Sequence, residues 1–413
     1  MQITIHRGTQ QIGGSVIELN QDGERILLDA GLPLDSPVSG LSEIPQTLDP
    51  HGLRAILVSH AHPDHYGLIE SINECVPVYM TEGTSKALLA SSLFAGTRSL
   101  VRERQQKVKP MQSFRIGPFK ITAIPVDHSA FDAVAYSIQS EEKHILYTGD
   151  LRAHGRKPGM LRQLKAFCQA TPVDLLISEG TRIKETGGTT LSEAGVESKL
   201  REIYAEAPGL VLNWFSPLNL DRWVSAFRTL GRRHYFVHDL YTEFLHYLIK
   251  AQVPAIPLEQ ESDRLRVFCP PNQSKKLAYK GIQKFIEKTK LQIQPDIQAA
   301  IDPTDKCVLL FRPSMLKLLF AGEFPPKTEL IVSLWKGYAK SKDFEAIEAA
   351  LHRCDGRIRY VHASGHIYPE DLIELIQTIN PQKLIPVHTE HPQSFLETFP
   401  QTFLPKDGEC HEV

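Results

Sequence analysis

The stretch that decides the fold is His60-Ala-His62-Pro-Asp64-His65, which directly follows the apolar run Ala55-Ile-Leu-Val-Ser59. The apolar run predicts a strand, so three imidazoles and a carboxylate fall within six residues at a strand end. Imidazole suits a borderline cation such as zinc, and a carboxylate suits a bridging or second site. The alternative is three surface histidines on a polar loop. Chance assembly of this pattern is on the order of one in a thousand, so we favour metal ligands.

Further candidate ligands end other predicted strands: His128, Asp150 and His388 each close an apolar run. Each alone would be interpreted as an ordinary polar residue at a strand end. Together with the loop they complete two sites, with Asp150 placed to bridge them. Asp29 ends another strand and is expected to hold a ligand histidine or a water molecule from behind. The remaining histidines that we interpret as structural are His6, His51, His144, His154, His234, His238 and His246.

Length and composition set the class of protein. The 413 residues predict about two domains, and 42% hydrophobic with 23% charged residues is typical of a soluble globular protein. No apolar run is long enough to span a bilayer, and the first residues do not resemble a signal peptide. The six cysteines form no CxxC pair, which fits a reducing, cytoplasmic environment. The net charge of −2 means that a polyanion would need a local basic surface.

The pattern of predicted elements changes twice along the chain. The first third is rich in short strands, helices and strands alternate from about residue 155, and a strand-rich segment returns near residue 356. We therefore expect a first domain formed by residues 1–180 and 357–413, with a second domain, residues 181–356, inserted into it. Thr190-Leu-Ser-Glu193 predicts a capping box that opens the first helix of the insertion.

These residues resemble a known family. The His60–His65 motif, followed in order by His128 and Asp150, is similar to the metallo-β-lactamase superfamily, whose fold is a four-layer αββα sandwich. Ser216–Trp223, Val361–Leu372 and Leu384–His391, together with an acidic strand end at Glu179, narrow the resemblance to the β-CASP nucleases. That group includes bacterial RNase J and the nuclease of mRNA 3′-end processing. The resemblance implies an α/β protein: a metallo-β-lactamase sandwich with an inserted β-CASP α/β domain.

The resemblance also implies roles for individual residues. One metal ion would be held by His60, His62 and His128, the other by Asp64, His65 and His388, with Asp150 bridging. Glu179 matches the carboxylate that orients the loop ligands, and His366 matches the histidine that contacts phosphate or donates a proton. We count His366, Glu179 and Asp64 as catalytic residues.

The function implied is that of a metal-dependent ribonuclease acting on single-stranded RNA. Two divalent ions, zinc by preference and manganese as the alternative, would lower the pKa of a water molecule to give the attacking hydroxide. The RNA-processing members resemble this chain in carrying histidine at the position of His388, where DNA-repair members typically carry valine. Candidate substrate contacts are Ser364, Gly365 and Arg152, with Arg156 and Lys157 nearby. The resemblance leaves open whether the protein forms a homo-oligomer.

Rival interpretations remain. A small-molecule thioester or lactone hydrolase of the same fold would not need the inserted domain. A DNA-directed β-CASP nuclease and a non-enzymatic RNA-binding platform are further alternatives. Lys276, Lys280, Lys284 and Lys288 recur every four residues in a predicted helix, which fits either a nucleic-acid contact or an ordinary solvated face.

Overall fold

The structure, a computed structural model, describes residues 1–34, 44–97, 100–141, 143–185, 190–335 and 342–413. The chain divides into two compact units. Unit 1 comprises Met1–Thr190 and Gly365–Val413, and unit 2 comprises Leu191–Ser364. The first limit lies ten residues and the second eight residues after the boundaries predicted from the sequence at 180 and 356.

The elements of the first part of unit 1 are β1 (Gln2–Arg7), β2 (Val16–Gln21), β3 (Glu24–Ala30), β4 (Leu53–Leu57), α1 (Pro63–Tyr66), β5 (Val78–Thr81), α2 (Glu82–Phe94), β6 (Gln105–Val108), β7 (Ser113–Ile116), β8 (Phe119–Pro125), β9 (Val134–Ser140), β10 (Lys143–Tyr147), α3 (Pro158–Ala170) and β11 (Leu175–Glu179).

The elements of unit 2 are α4 (Glu193–Glu206), β12 (Val211–Trp214), α5 (Leu220–Arg228), β13 (Tyr235–Asp239), α6 (Leu240–Ile249), β14 (Leu265–Phe268), α7 (Pro271–Ser274), α8 (Lys280–Thr289), β15 (Ile293–Gln294), α9 (Ile297–Ala300), β16 (Cys307–Phe311), α10 (Ser314–Phe320), β17 (Glu329–Val332), α11 (Lys342–Arg353) and β18 (Arg357–Tyr360). The chain then returns to unit 1 with α12 (Pro369–Ile379), β19 (Lys383–Val387) and β20 (Cys410–Glu412).

Unit 1 is built on two sheets, with strand orders β20-β1-β2-β3-β4-β5-β6 and β19-β11-β10-β9-β8-β7 in the described residues. Their facing sides share one apolar core, to which Ile17 and Leu28 contribute from the first sheet and Tyr136 and Ile177 from the second. The outer side of the second sheet is covered by α3 and α12, and α2 lies against β5 and β6 of the first. The layers therefore follow the order αββα, and the predicted fold class is confirmed.

Strand direction brings the polar strand ends of unit 1 together. β3, β4 and β5 are parallel in the first sheet. In the second, β10, β11 and β19 are parallel, and β8 shares their direction because β9 is antiparallel to both β8 and β10. The carboxyl ends of these strands therefore lie at one edge of each sheet, which is where open α/β sheets place their sites.

Unit 2 contains one parallel sheet with the order β15-β14-β13-β16-β12-β17-β18 in the described residues. Its apolar strands are buried on both faces, as expected for a parallel sheet covered by helices. β18 pairs in parallel with β17, so residues 357–360 belong to this sheet and not to unit 1. The boundary predicted between residues 356 and 357 falls before this strand, because an isolated strand pattern does not reveal which sheet the strand joins.

The start of unit 2 corrects a detail of the sequence interpretation. The first helix begins at Glu193, and its cap is Ser192, whose side chain accepts a hydrogen bond from the backbone N–H of Gly195. Thr190 lies outside the helix, so the capping box predicted from Thr190 to Glu193 is wrong by two residues. Both Thr190 and Ser192 are good capping residues, and only the local backbone decides between them. No helix among the described residues is both long and apolar enough to cross a membrane.

Candidate metal centre

The His60–His65 loop follows β4 and turns into the single-turn helix α1 at Pro63. It packs closely on the end of β3, where the N–H of Leu32 donates to the carbonyl of Pro63 over 3.0 Å. A Cβ atom built on Gly31 would lie 1.7 Å from the carbonyl oxygen of Asp64. Only glycine therefore fits at position 31, and this close approach fixes the loop against the sheet.

One set of three imidazoles converges beside this loop. Nδ1 of His62 lies 3.0 Å from Nε2 of His60 and 3.2 Å from Nε2 of His128. Burial, reinforced by neighbouring imidazoles, lowers the pKa of His60 and His128 well below the ordinary value. Burial also lowers the pKa of His62 to about 4. All three imidazoles are therefore held neutral, which is the form that binds cations.

A second set combines a carboxylate with two imidazoles. Oδ2 of Asp64 lies 3.2 Å from Nε2 of His388 and 3.7 Å from Nε2 of His65. His388 directly follows β19 and adopts a left-handed backbone with φ of 52°, a conformation that is uncommon for a non-glycine residue. Such outliers concentrate at functional sites, where the surrounding structure holds them in place.

Asp150 lies between the two sets. Its Oδ2 atom is 3.2 Å from Nε2 of His65, 3.7 Å from that of His388, 3.8 Å from that of His60 and 4.0 Å from that of His128. Burial opposes ionisation, but the imidazoles of His388 and His65 outweigh it and hold the pKa of Asp150 well below its ordinary range. The geometry thus places one ionised carboxylate in reach of nitrogens from both sets.

The donor set passes a test of fit to metal ions. Oδ1 of Asp150 is buried, and no described group makes a hydrogen bond to it, whereas the other oxygen of this carboxylate lies 3.2 Å from Nε2 of His65. Buried polar atoms normally have partners, so an oxygen without one in a cluster of imidazoles indicates a missing ligand. The outward ring nitrogens, in contrast, are engaged: Nδ1 of His128 donates to the carbonyl of Gly365 over 2.6 Å. Histidines that bind metals characteristically use one nitrogen for the ion and the other for such a contact.

Asp29 supports the loop from below, as the sequence predicts. It is the extra residue of a β-bulge in β3, with φ of 58°, and the bulge turns its side chain under the loop. The carboxylate accepts hydrogen bonds of 2.7 Å from Nδ1 of His65, from the N–H and hydroxyl of Ser59, and from the hydroxyl of Tyr147. The acceptor contact to His65 leaves the opposite nitrogen, Nε2, facing the centre.

Glu179 and His366 form a pair at the edge of the centre. Oε2 of Glu179 accepts from Nδ1 of His366 over 2.9 Å, and Oε1 accepts from the N–H of Leu151, which follows Asp150. Burial disfavours the charged imidazole, but the carboxylates of Glu179 and Asp150 more than compensate and raise the pKa of His366 to about 9. Glu179 therefore holds both the segment that carries Asp150 and the imidazole of His366.

The sequence interpretation missed Thr181 and Ser59. The hydroxyl of Thr181 lies 2.8 Å from Nδ1 of His388 and 3.2 Å from Nδ1 of His366, so it orients both rings. The hydroxyl of Ser59 lies 3.0 Å from Nδ1 of His60. Both positions immediately flank predicted strand ends, and a search for hydroxyls beside candidate ligands would have found them.

Of the predicted substrate contacts, Gly365 has the clearest structural explanation. A Cβ atom at this position would come within 2.7 Å of the hydroxyl of Ser129 and 3.0 Å of Cε1 of His128, so a larger residue would have to displace a neighbouring side chain of the centre. Arg152 is buried, and its guanidinium pairs with Asp127 over 3.0 Å, so its position does not support the predicted contact with a substrate. Ser364 is buried at the end of unit 2, and its role stays a prediction.

A third group of potential ligands lies in unit 2, where the sequence interpretation treated the histidines as unrelated. His238 is the next-to-last residue of β13, and Glu243 and His246 lie about one turn apart on α6; all three are fully buried. The indole N–H of Trp223 donates to Nδ1 of His238 over 3.1 Å, so Nε2 must carry the proton that is donated to Glu243 over 2.9 Å. Because His238 thereby has no lone pair left, this group is a hydrogen-bonded chain and a poor metal site.

His246 has no hydrogen-bond partner among the described residues for either ring nitrogen. We expect His246→Leu to increase the free energy of unfolding of unit 2 by about 1–2 kcal/mol, because a buried polar group without a partner is destabilising. The three tryptophans, Trp214, Trp223 and Trp335, all lie in unit 2. Urea unfolding followed by tryptophan fluorescence therefore reports on this unit. An unchanged or lower stability would contradict the expectation, and the same substitution at the exposed His234 is the control.

The same variant has an expected pH dependence. Burial, together with His238 and Lys250, lowers the pKa of His246 well below its ordinary value. The imidazole of His246 therefore binds a proton more readily in the unfolded chain than in the folded one. Well above a pH of about 6.5 neither state binds the proton, and this difference does not affect the free energy of unfolding. As the pH falls below that value, protonation favours the unfolded chain and lowers the stability of the parent protein. The stability gap between the variant and the parent protein should therefore widen at pH 5.5. A gap that narrows would show that His246 is protonated in the fold.

Comparisons with known proteins agree with this geometry. Residues 24–202 match the profile of the beta-lactamase superfamily domain, and residues 353–395 match that of the Zn-dependent metallo-hydrolase RNA specificity domain. The second match includes Gly365, His366 and His388. The family descriptions and the clustered ligands together support the binding of divalent metal.

Several curated relatives bear the name Ribonuclease J. The Mycolicibacterium smegmatis protein is 26% identical over 94% of this chain and 68% of its own length, and the Pyrococcus abyssi protein is 24% identical over 93% and 88%. The Mycobacterium tuberculosis protein is 28% identical over 57% of this chain, a match that spans only 44% of that relative. A solved structure of a protein of unknown function from Enterococcus faecalis matches the fold over 99% of both chains, with a TM-score of 0.77 and 22% identity.

Proposed function

The chain belongs to the metallo-β-lactamase superfamily, in its β-CASP group, and from that membership we propose that it is a metal-dependent ribonuclease that hydrolyses phosphodiester bonds of single-stranded RNA. The observation that carries the proposal is the position of Asp150, whose Oδ2 lies within 4.0 Å of imidazoles from both ligand sets. A carboxylate shared in this way is the signature of a site for two ions.

In this proposal His60, His62 and His128 would hold one divalent ion, Asp64, His65 and His388 would hold the other, and Asp150 would be shared between them. Five imidazoles among seven ligands favour zinc, and the carboxylates leave manganese as the alternative. When bound, such ions lower the pKa of water and polarise a phosphoryl oxygen. Asp29 and Thr181 keep His65 and His388 in the orientation that ligation requires.

His366 is the proposed proton donor or phosphate contact. Its Nδ1 atom is held by Glu179, so the ring reaches a substrate through Nε2, and its side chain keeps 22% of its surface exposed. A protonated imidazole at this point can donate to a phosphate oxygen or give its proton to the leaving oxygen. Gly365 brings the backbone close to the same point, because it has no side chain to press on Ser129 and His128.

The preference for RNA is supported by the C-terminal part of unit 1. The segment that matches an RNA specificity profile supplies both His366 and His388 to the centre. The 2′-hydroxyl is the group that distinguishes RNA from DNA, and it can be recognised only by contacts of the protein to its donor and acceptor. We propose cytoplasmic RNA processing or decay as the setting.

We expect single-stranded RNA to be cleaved at least about tenfold faster than DNA of the same sequence, because one lost hydrogen bond to the 2′-hydroxyl is worth about that factor. Activity should fall as salt screens contacts to the backbone. The measurement is the cleavage of end-labelled strands carrying a 5′-phosphate or a 5′-hydroxyl, with product lengths resolved, since the lengths separate endonuclease from 5′-exonuclease action.

Two results would contradict the proposal. Equal or faster cleavage of DNA would favour a DNA-directed nuclease of the same group. Rapid hydrolysis of a thioester, with neither polymer cleaved, would favour the small-molecule hydrolase.

A further inference from the structure

Unit 2 carries a row of lysines that the proposed chemistry does not use. The lysine stripe consists of Lys280, Lys284 and Lys288 on α8, flanked by Lys275, Lys276 and Lys290. Between residues 275 and 290 the only acidic residue is Glu287. The whole chain has a net charge of −2, so this segment is a local exception to the overall balance.

The helix presents the stripe to solvent. α8 buries Ile282 and Phe285, whereas Lys280, Lys284 and Lys288 are exposed. Residues four apart lie on the same face and rise by about 6 Å along the axis at each step. The three lysines therefore follow one side of the helix at regular intervals, as contacts to successive phosphates of a strand would require, and Nζ of Lys288 lies 5.5 Å from the centre of the Tyr247 ring.

Helix stability alone does not favour this arrangement. Like charges four residues apart repel each other, and Lys280 stands at the helix N-terminus, where the backbone dipole disfavours a cation. The charges of α2 are arranged in the way that stabilises a helix: the acidic residue Glu82 lies in the first turn and pairs with Lys86 over 2.6 Å. Across the part of the chain that the structure describes, no lysine of the stripe forms an ion pair.

An exposed aromatic ring adjoins the stripe. Tyr279, directly before α8, keeps 50% of its surface exposed. A Cβ atom on Gly281 would lie 2.8 Å from the Tyr279 ring, so the ring rests close to the start of the helix. Lysines beside an exposed tyrosine are the combination that binds single strands, because cations contact the phosphates and rings stack on bases.

We propose that the lysine stripe and Tyr279 form a binding surface for single-stranded RNA, separate in its residues from the metal centre. This proposal rests on the proposed function. It adds that the protein binds a long RNA at the lysine stripe as well as at the metal centre. Regular spacing and an exposed ring favour a nucleic-acid strand over an acidic protein, whose carboxylates do not repeat at fixed intervals.

The test compares three triple variants of the full chain. The first variant removes the central charges of the stripe by combining Lys280→Gln, Lys284→Gln and Lys288→Gln. The second keeps these charges, because the same three positions are changed to arginine. The third lowers the net charge by the same amount at scattered exposed positions of unit 2 by combining Lys199→Gln, Lys306→Gln and Lys317→Gln. Binding of an RNA of about 30 nucleotides is measured by fluorescence anisotropy in an Asp150→Ala background. Cleavage of RNAs of about 6 and about 30 nucleotides is measured without that background.

The glutamine variant of the stripe should bind the long RNA about 10- to 100-fold more weakly at low salt. The slope of log K against log salt should become less negative by about 2, since each phosphate contact contributes about 0.7 for single strands. Cleavage of the short RNA should stay within about twofold, and the arginine and scattered variants should bind like the parent protein.

Equal binding by all variants would overturn the proposal, as would an equal loss in the scattered variant. Failure of the parent protein to bind RNA, with capture of an acidic polypeptide by the stripe instead, would also overturn it. If the stripe binds long RNA but the parent protein cleaves no RNA, the proposed function fails while the binding surface stands.

Discussion

Asp150→Ala is expected to abolish RNA cleavage, reducing the rate by about 10⁴-fold or more. Both proposed ion sites lose a ligand at once, because Oδ2 of Asp150 approaches imidazoles of both sets. The fold should survive, since Oδ1 accepts no hydrogen bond among the described residues and the contacts of Oδ2 are to imidazoles of the centre itself. Turnover and bound metal per protein are measured together, with thermal unfolding as the check on folding.

Asp22→Asn is the matched control. Asp22 lies at an exposed turn between β2 and β3 with φ of 55°, a backbone conformation that asparagine also tolerates. This variant should keep full activity and metal content. Substantial cleavage by Asp150→Ala would show that the bridging role assigned to this carboxylate is wrong.

His366→Ala is expected to retain the metal content of the parent protein but to lose about 10²–10⁴-fold in rate. His366 is not among the seven proposed ligands, and its Nδ1 atom is bonded to Glu179. The loss should appear in kcat more than in KM if the imidazole acts in the chemical step. Single-turnover cleavage together with metal analysis separates this effect from a defect in assembly.

His391→Ala provides the comparison, because His391 is an exposed histidine three residues after His388. It should cleave RNA at the parental rate. If His366→Ala also cleaves at that rate, His366 is structural. If instead it loses its metal, His366 supports ligation rather than the chemical step.

Much of the fold could be predicted because its strongest signals are local. The strand before His60 and the alternation of helices and strands after residue 155 could be predicted from the periodicity of apolar residues. The structure contains both. β6 and β7 were not predicted because Gln105–Val108 and Ser113–Ile116 carry few apolar residues and are stabilised by pairing with β5 and β8. Sheet membership, as for β18, depends on tertiary contacts that no local pattern encodes.

In the candidate site, too, residues with a local sequence signal could be predicted, whereas residues placed by tertiary contacts could not. Residues at strand ends could be selected because parallel strands bring their carboxyl ends to one edge, and the structure brings all seven proposed ligands together. The residues that surround the ligands could not be identified from their positions at strand ends. The burial of Arg152 against Asp127 and the contact of Thr181 with His388 depend on loop conformation. The pairing of Glu243 with His246 could have been suspected from helical spacing, but the position of His238 beside them depends on tertiary packing, and its tautomer required the indole of Trp223.

The most direct test of the central claim is a titration of metal into the chelator-stripped protein, with single-stranded RNA cleavage and bound metal followed in the same samples. We expect no cleavage by the stripped protein and recovery of cleavage as bound zinc or manganese approaches two ions per chain. Undiminished cleavage by the stripped protein, or a protein that binds no divalent ion under any loading condition, would contradict it.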